Sequence, residues 1–246
     1  MITTAMVLIS FLATLVRSTF GFGESLVAVP LFVLFIPLEV AVPLSVLISV
    51  LVALVVVIQD HRDIHLESAR WLILYAVLGI PFGLLILLYG NEYWVKIGLG
   101  GLIAGYSVYM LRARDVFRLE ADNRGWLFVC GFLSGLLGGA YGVNGPPLVV
   151  YGNLRRWSAK QFRATLQAYF LVASLIGVMG YAIKGLVGRV VLTDLLVCLP
   201  VVLPTIFLGR YFNRKLRGST FYTYVYWGLV GIGLLLIVFT ILGIKS

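Results

Sequence analysis

Eight apolar stretches run through the chain, at about residues 2–36, 38–59, 71–89, 95–111, 126–153, 164–183, 191–209 and 221–243. Most match the ~20 residues that carry a helix across a bilayer core. Hydrocarbon offers the backbone no hydrogen-bond partner, so each stretch must satisfy its own N–H and C=O groups, which predicts helices. The short alternating segments of a membrane β-barrel are absent. Composition agrees: 61% of the 246 residues are hydrophobic and 12% are charged, half the roughly 25% charge of a soluble domain. A soluble enzyme, a disordered chain and a coiled-coil rod are thereby excluded. The expected class is an all-α polytopic membrane protein.

Two stretches are irregular. Residues 2–36 exceed one span, and both 2–36 and 126–153 are interrupted by glycine. The first reads Arg17-Ser-Thr-Phe-Gly21-Phe-Gly23-Glu24-Ser25, with Pro30 beyond. The second carries Gly131, Gly135, Gly138, Gly139, Gly142 and Gly145, then Pro146-Pro147. Glycine lowers helix propensity and proline removes a donor, so each stretch reads as two short helices around an unwound centre. A shift of 121 residues lays one on the other: Phe11-Leu12 falls on Phe132-Leu133, Leu15 on Leu136, Phe20 on Tyr141 and Gly21 on Gly142. The order of broken stretch, span, polar loop, span, span also recurs. This predicts two membrane repeats, 1–112 and 124–246, joined by a linker at 113–123.

Charge discriminates between ways of threading the broken stretches. If all eight cross once, Lys and Arg divide evenly between the two sides. If each broken stretch is a hairpin returning to its own side, the loops at 60–70, 112–125, 154–163 and 210–218 share one face with 14 Lys and Arg, against 4 opposite. The positive-inside rule selects the hairpins, with basic loops in the cytoplasm and both termini outside. One hairpin plus three spans per repeat makes the repeats inverted. Residues 1–16 carry no Lys or Arg, so the first segment is expected to be retained as a membrane element, without a signal-peptide pattern. The net charge of +9 is then loop charge and points to no nucleic acid. Trp71, Trp94, Trp126 and Trp157 fit interfacial anchoring.

Unwound backbone at membrane depth survives where it is buried in protein or lines a wet cavity. The helix leaving each break presents free N–H groups and a positive dipole end, favouring an anion near Glu24–Ser25 and near Asn144–Gly145. Gly21, Gly23, Gly142 and Gly145 permit the unwound backbone, and Pro146 follows. Arg17 lies well inside an apolar stretch; it pairs either with a substrate anion or with Glu24, two turns on. A buried Glu24 would also be able to carry a proton. Arg163, Thr165 and Gln167 open the span after the second break, where Arg163 either reaches the cavity or marks the membrane border. Asp194 is expected at an interface, and Cys130 and Cys198 as inert buried thiols. His61 and His65, four apart, offer a metal reading in a loop. No histidine stands at membrane depth, so Ser–His and HExxH chemistry lacks its parts, and no cofactor is called for.

Phe20-Gly21-Phe22-Gly23 with Pro30, Gly142-Val143-Asn144-Gly145-Pro146-Pro147 with Tyr151, and Phe162-Arg163-Ala164-Thr165 resemble the paired motifs of the TauE/SafE sulfite exporter family over nearly the whole chain. The resemblance implies a plasma-membrane permease for small anions such as sulfite and organosulfonates, usually exported. The chain departs from the family pattern at Glu24 and Asn144, where glycine is common. The expected function is secondary transport by alternating access. A metal-cation permease on the same scaffold and a non-transporting membrane sensor or scaffold are the alternatives.

Overall fold

The computed structural model describes residues 2–112, 119–215 and 219–242; Arg114, Arg118, Arg217, Lys245 and the first part of the linker lie outside them. The described residues form helices joined by turns, with no strand. In chain order these are α1 (Ile2–Phe20), α2 (Glu24–Phe32), α3 (Leu38–Asp60), a 3₁₀ turn (His61–Asp63), α4 (Leu66–Tyr89), α5 (Glu92–Arg112), α6 (Arg124–Tyr141), α7 (Gly145–Leu154), α8 (Ala159–Ile183), α9 (Arg189–Lys215) and α10 (Ser219–Ile241). By length and composition α1, α3, α4, α5, α8 and α9 can each cross a membrane.

Polar residues set several helix starts. The Asn123 side chain accepts from the N–H groups of Gly125 and Trp126. Ser158 and Gln161 form a reciprocal capping box at α8, satisfying donors that a helix start leaves free. His65 accepts from the N–H of Ser68 at the start of α4.

Both predicted breaks are present. A shift of 121 residues carries the end of α1 onto the end of α6 and the starts of α2 and α3 onto those of α7 and α8. Helix α1 packs on α9 as α6 packs on α4; α4 and α9 also meet α8 and α3, respectively; α3 meets α8, and α5 meets α10. The α4–α6 contact is parallel and close. Leu72 faces Gly131, Ala76 faces Gly135 and Ile80 faces Gly139, and a Cβ on Gly131 would stand 2.8 Å from the Leu72 carbonyl oxygen. Glycine there lets two backbones touch, the usual means of tight packing in lipid.

The short helices answer the threading question. At 1.5 Å per residue, α2 and α7 are roughly 13–15 Å long, half of a ~30 Å hydrocarbon core. Neither can cross. Helix α7 returns to the end where α6 began: the Leu119 N–H bonds the Leu154 carbonyl at 2.9 Å, and Arg155 Nε lies 2.8 Å from Asp122.

The four basic loops meet at that same end. Asp60 holds Arg163 at 3.3 Å and Arg210 at 3.2 Å. The His65 N–H donates to Thr165 Oγ1 at 2.9 Å. Asp122 accepts from Ser68 Oγ and from the Tyr151 hydroxyl, each at 2.7 Å. Trp157 does not stand free as an anchor; it is half-buried between His65 and Tyr151. Trp94 and Trp126 are exposed. Cys130 and Cys198 are buried free thiols.

Candidate functional site

The first break opens where α1 stops at Phe20 and the chain enters the left-handed region at Gly21 (φ 85°) and Gly23 (φ 96°). The second opens at Gly142 (φ 68°). A side chain at these angles is strained, which is why glycine stands there. Asn144 has ordinary helical backbone angles and caps α7 by position, with no bond from its side chain.

The two breaks come together. Between them lies a small cavity, lined by Arg17, Gly23, Glu24 and Ser25 from the first half and by Gly142, Asn144 and Gly145 from the second. Leu26, Ser49, Val143 and Phe170 complete the wall.

Arg17 is the organising charge, 3% exposed. It donates to Glu24 Oε2 at 2.7 Å, to Gln167 Oε1 at 2.9 Å and to Ser49 Oγ. Its guanidinium lies 4.9 Å from the centroid of the Phe170 ring. Both readings of Arg17 therefore have a physical basis: it pairs with Glu24 and it lines the cavity. Gln167 is a brace, because its Nε2 also donates to the Gly21 carbonyl at 2.7 Å. That ties α8 to the first break.

Several buried polar atoms stay unmatched. Glu24 Oε1, Arg17 Nε and Asn144 Oδ1 have no hydrogen-bond partner. Buried polar groups are ordinarily paired. With Glu24 in place, the pair offers no net positive charge to an anion.

The two helix starts differ in the N–H groups they leave free. Helix α2 begins Glu24-Ser25-Leu26, and all three carry an N–H. Helix α7 begins Gly145-Pro146-Pro147, and proline has no N–H. Of the first three residues of α7 only Gly145 carries an N–H, against all three of α2.

Other predicted residues sit elsewhere. Pro146 is buried in the first turn of α7. Arg163 packs on Gly21, where a Cβ would meet its Cγ at 3.2 Å, and reaches away to Asp60. Thr165 holds the loop before α4. Asp194 is half-exposed near the start of α9. His61 and His65 do not converge on a ligand set: His65 turns to Ser68, and no three His, Cys, Asp or Glu side chains gather among the described residues.

Ser49 and Phe170 escaped the sequence reading, although they are related by the same 121-residue shift. A second repeat relation had the same visibility. Arg17 corresponds to Gly138 and Gly23 to Asn144, so the bulky polar group moves from the first helix of one hairpin to the break of the other. Asn144 Oδ1 fills the space beside Gly138 that a side chain there would occupy. The Tyr181 hydroxyl donates to the Gly138 and Gly139 carbonyls at 2.8 and 3.0 Å, holding that turn of α6.

Comparison with known proteins gives the same family as the motifs. The profile described as sulfite exporter TauE/SafE matches residues 6–236. A probable sulfite/organosulfonate exporter TauE from Cupriavidus necator is 30% identical over 114 residues, a match covering 46% of this chain and 44% of that relative. No solved structure matches the chain. The profile spans the hairpins and the helices around them, and with six helices able to cross a membrane, the chain is a multi-pass membrane protein of the sulfite exporter TauE/SafE family.

Proposed function

We propose that the chain is a secondary transporter that exports small sulfur-containing anions, of the sulfite or organosulfonate kind, across the plasma membrane by alternating access. The observation that carries this is the convergence of two helix breaks and the buried Arg17 on one cavity. Two inverted repeats, 1–112 and 124–246, support the reading through the shared helix starts and the reciprocal packing of α1 on α9 and α6 on α4. The basic loops face the cytoplasm and the termini lie outside, following the charge bias.

Arg17 is the anion's charge partner, and the N–H groups of Glu24, Ser25 and Leu26 complete the cradle. Asn144 faces it from the second break. Glu24 couples the cycle to a proton: when its carboxylate takes up a proton, the ion pair opens and the guanidinium turns to the anion. When the anion leaves, Glu24 gives up the proton and recaptures Arg17. The site is buried, so cargo reaches it only when the hairpins part on one side at a time.

The test is flux in proteoliposomes with sulfite, thiosulfate, sulfoacetate and sulfate, with and without a pH gradient. Transport of sulfite or sulfoacetate is expected, faster with the gradient. Gly145→Val is expected to insert normally and to abolish flux. Failure of every anion in the panel to move refutes the function; normal flux in Gly145→Val refutes the site.

A further inference from the structure

The parallel pair α4 and α6 carries a second feature, on its lipid-facing side and away from the cavity. At the basic-loop end, two arginines approach one indole: the Arg124 guanidinium lies 5.2 Å from the Trp71 ring centroid and the Arg70 guanidinium 5.8 Å. The two cationic groups thus lie within about 11 Å of each other. Both are exposed, and among the described residues neither is ion-paired with a carboxylate. The acidic neighbours do not answer them. Asp122 is occupied by Arg155, Ser68 and Tyr151, and the exposed Glu67, one turn before Arg70, forms no ion pair among the described residues.

Below the arginines an aromatic strip follows the seam. Trp71 stacks on Tyr75 at 5.8 Å, and Tyr75 meets Phe128 edge-on at 5.3 Å. Phe128 stacks on Phe132 at 5.9 Å, and Phe132 meets Phe82 at 6.0 Å. Phe128 is 45% exposed and Phe82 57% exposed. From Trp71 to Phe82 the helix rises roughly 16 Å at 1.5 Å per residue, about the ~15 Å depth of one leaflet's hydrocarbon. A strip of that length, headed by uncompensated cationic groups at the interface, complements the charge and matches the apolar length of one anionic lipid molecule.

We propose that the α4–α6 seam binds an anionic phospholipid. Its phosphate sits between Arg70 and Arg124, and an acyl chain lies along Tyr75, Phe128, Phe132 and Phe82. Guanidinium groups suit phosphate because they present paired donors in one plane, and Trp71 holds both by stacking. The site does not depend on the cavity or on its cargo.

Native mass spectrometry of the full chain tests this, after equilibration in detergent with equal amounts of phosphatidylglycerol and phosphatidylcholine. The wild type is expected to retain phosphatidylglycerol at least tenfold over phosphatidylcholine, and Arg70→Gln with Arg124→Gln to reduce the preference to parity. Arg70→Lys with Arg124→Lys, which keeps charge and fold, is expected to fall between the two. Arg62→Gln, an exposed loop charge elsewhere, is expected to match the wild type. Phe82→Ala with Phe128→Ala is expected to weaken retention. Equal retention of the two lipids by the wild type overturns the proposal, as does an unchanged preference in both arginine double variants. Displacement of the lipid by millimolar glycerol phosphate makes the site one for soluble phosphate and overturns it too. A lipid-free dimer buried along this seam also overturns it, because a second copy then covers the strip.

Discussion

Arg17 and Glu24 form a buried ion pair, and a double-mutant cycle on them separates a site held by charge from one held by packing. Both side chains are almost fully enclosed, at 3% and 1% exposure. Removing one partner leaves the other charge without compensation, an effect of about 3–5 kcal/mol for buried pairs. Glu24→Gln retains a neutral acceptor for Arg17, so its loss falls toward the lower end; Arg17→Gln also forfeits the bonds to Ser49 and Gln167 and falls toward the upper end. Replacing both removes the isolated charge, and the double variant is expected to lie within about 1–2 kcal/mol of wild type. For a chain of this size 1 kcal/mol corresponds to about 2–4 °C in melting temperature. Each single variant is therefore expected to melt roughly 6–20 °C lower in detergent, and the double variant only about 2–8 °C lower. The assay is thermal unfolding of the four purified proteins followed by tryptophan fluorescence. A double variant whose drop equals the sum of the singles refutes the pairing argument. The same proteins report on function: Glu24→Gln is expected to transport without response to a pH gradient, and Arg17→Gln not to transport at all.

Substituting the glycines of the second break is expected to give graded effects. Gly145→Ala places its Cβ 3.8 Å from Phe22, an ordinary contact, and should melt as wild type, with flux reduced less than in Gly145→Val. Gly142→Ala combines φ 68° with a Cβ 2.8 Å from Val46 Cγ2; strain of about 1–3 kcal/mol is expected, read as a lower melting temperature. Gly138→Ala must drive the Asn144 side chain toward the cavity, so flux should fall several-fold, and Gly138→Ala with Asn144→Gly should restore it; failure of that rescue sinks the proposed exchange of bulk. At the loop end, burial raises the Asp122 pKa, but the bonds from Ser68 and Tyr151 and the charge of Arg155 outweigh it, and the net value lies below the ordinary 3.8. A depressed carboxylate contributes stability above its unfolded pKa and loses it as pH falls through the folded one. Proteolysis of the linker should thus stay slow at pH 5 and accelerate only below about pH 3.8; Asp122→Asn should be cleaved faster at pH 7 and show no such acid step.

The helices and the breaks were legible because each is a local property of the chain. Lipid forces the backbone to satisfy itself segment by segment, so a run of apolar residues announces a helix without knowledge of its neighbours. Glycine with positive φ and proline without a donor mark the breaks for the same reason, and the starts of α2, α3, α7 and α8 follow the 121-residue shift. The basic residues showed which loops belong together, and Asp60, His65, Asp122 and Arg155 meet at one end.

Other features depended on contacts between distant residues. Whether Arg17 faced Glu24, a cavity or both was a question of side-chain direction across 150 residues of intervening chain, answered by Gln167 and Phe170. Arg163 and Thr165 stand near the site in sequence, yet Asp60 and His65 draw their polar groups to the loops. Ser49 is a hydroxyl inside an apolar helix, and only the packing of α3 beside the first break brings it to Arg17. Sequence by itself determined the membrane class, the helices and the two unwound centres, because hydrogen-bond satisfaction and backbone sterics act within a few residues. Tertiary structure decided which buried charges meet, which residues of the two breaks share one cavity, and which faces of α4 and α6 stay exposed, because pairing and exposure exist only once separate helices share one space.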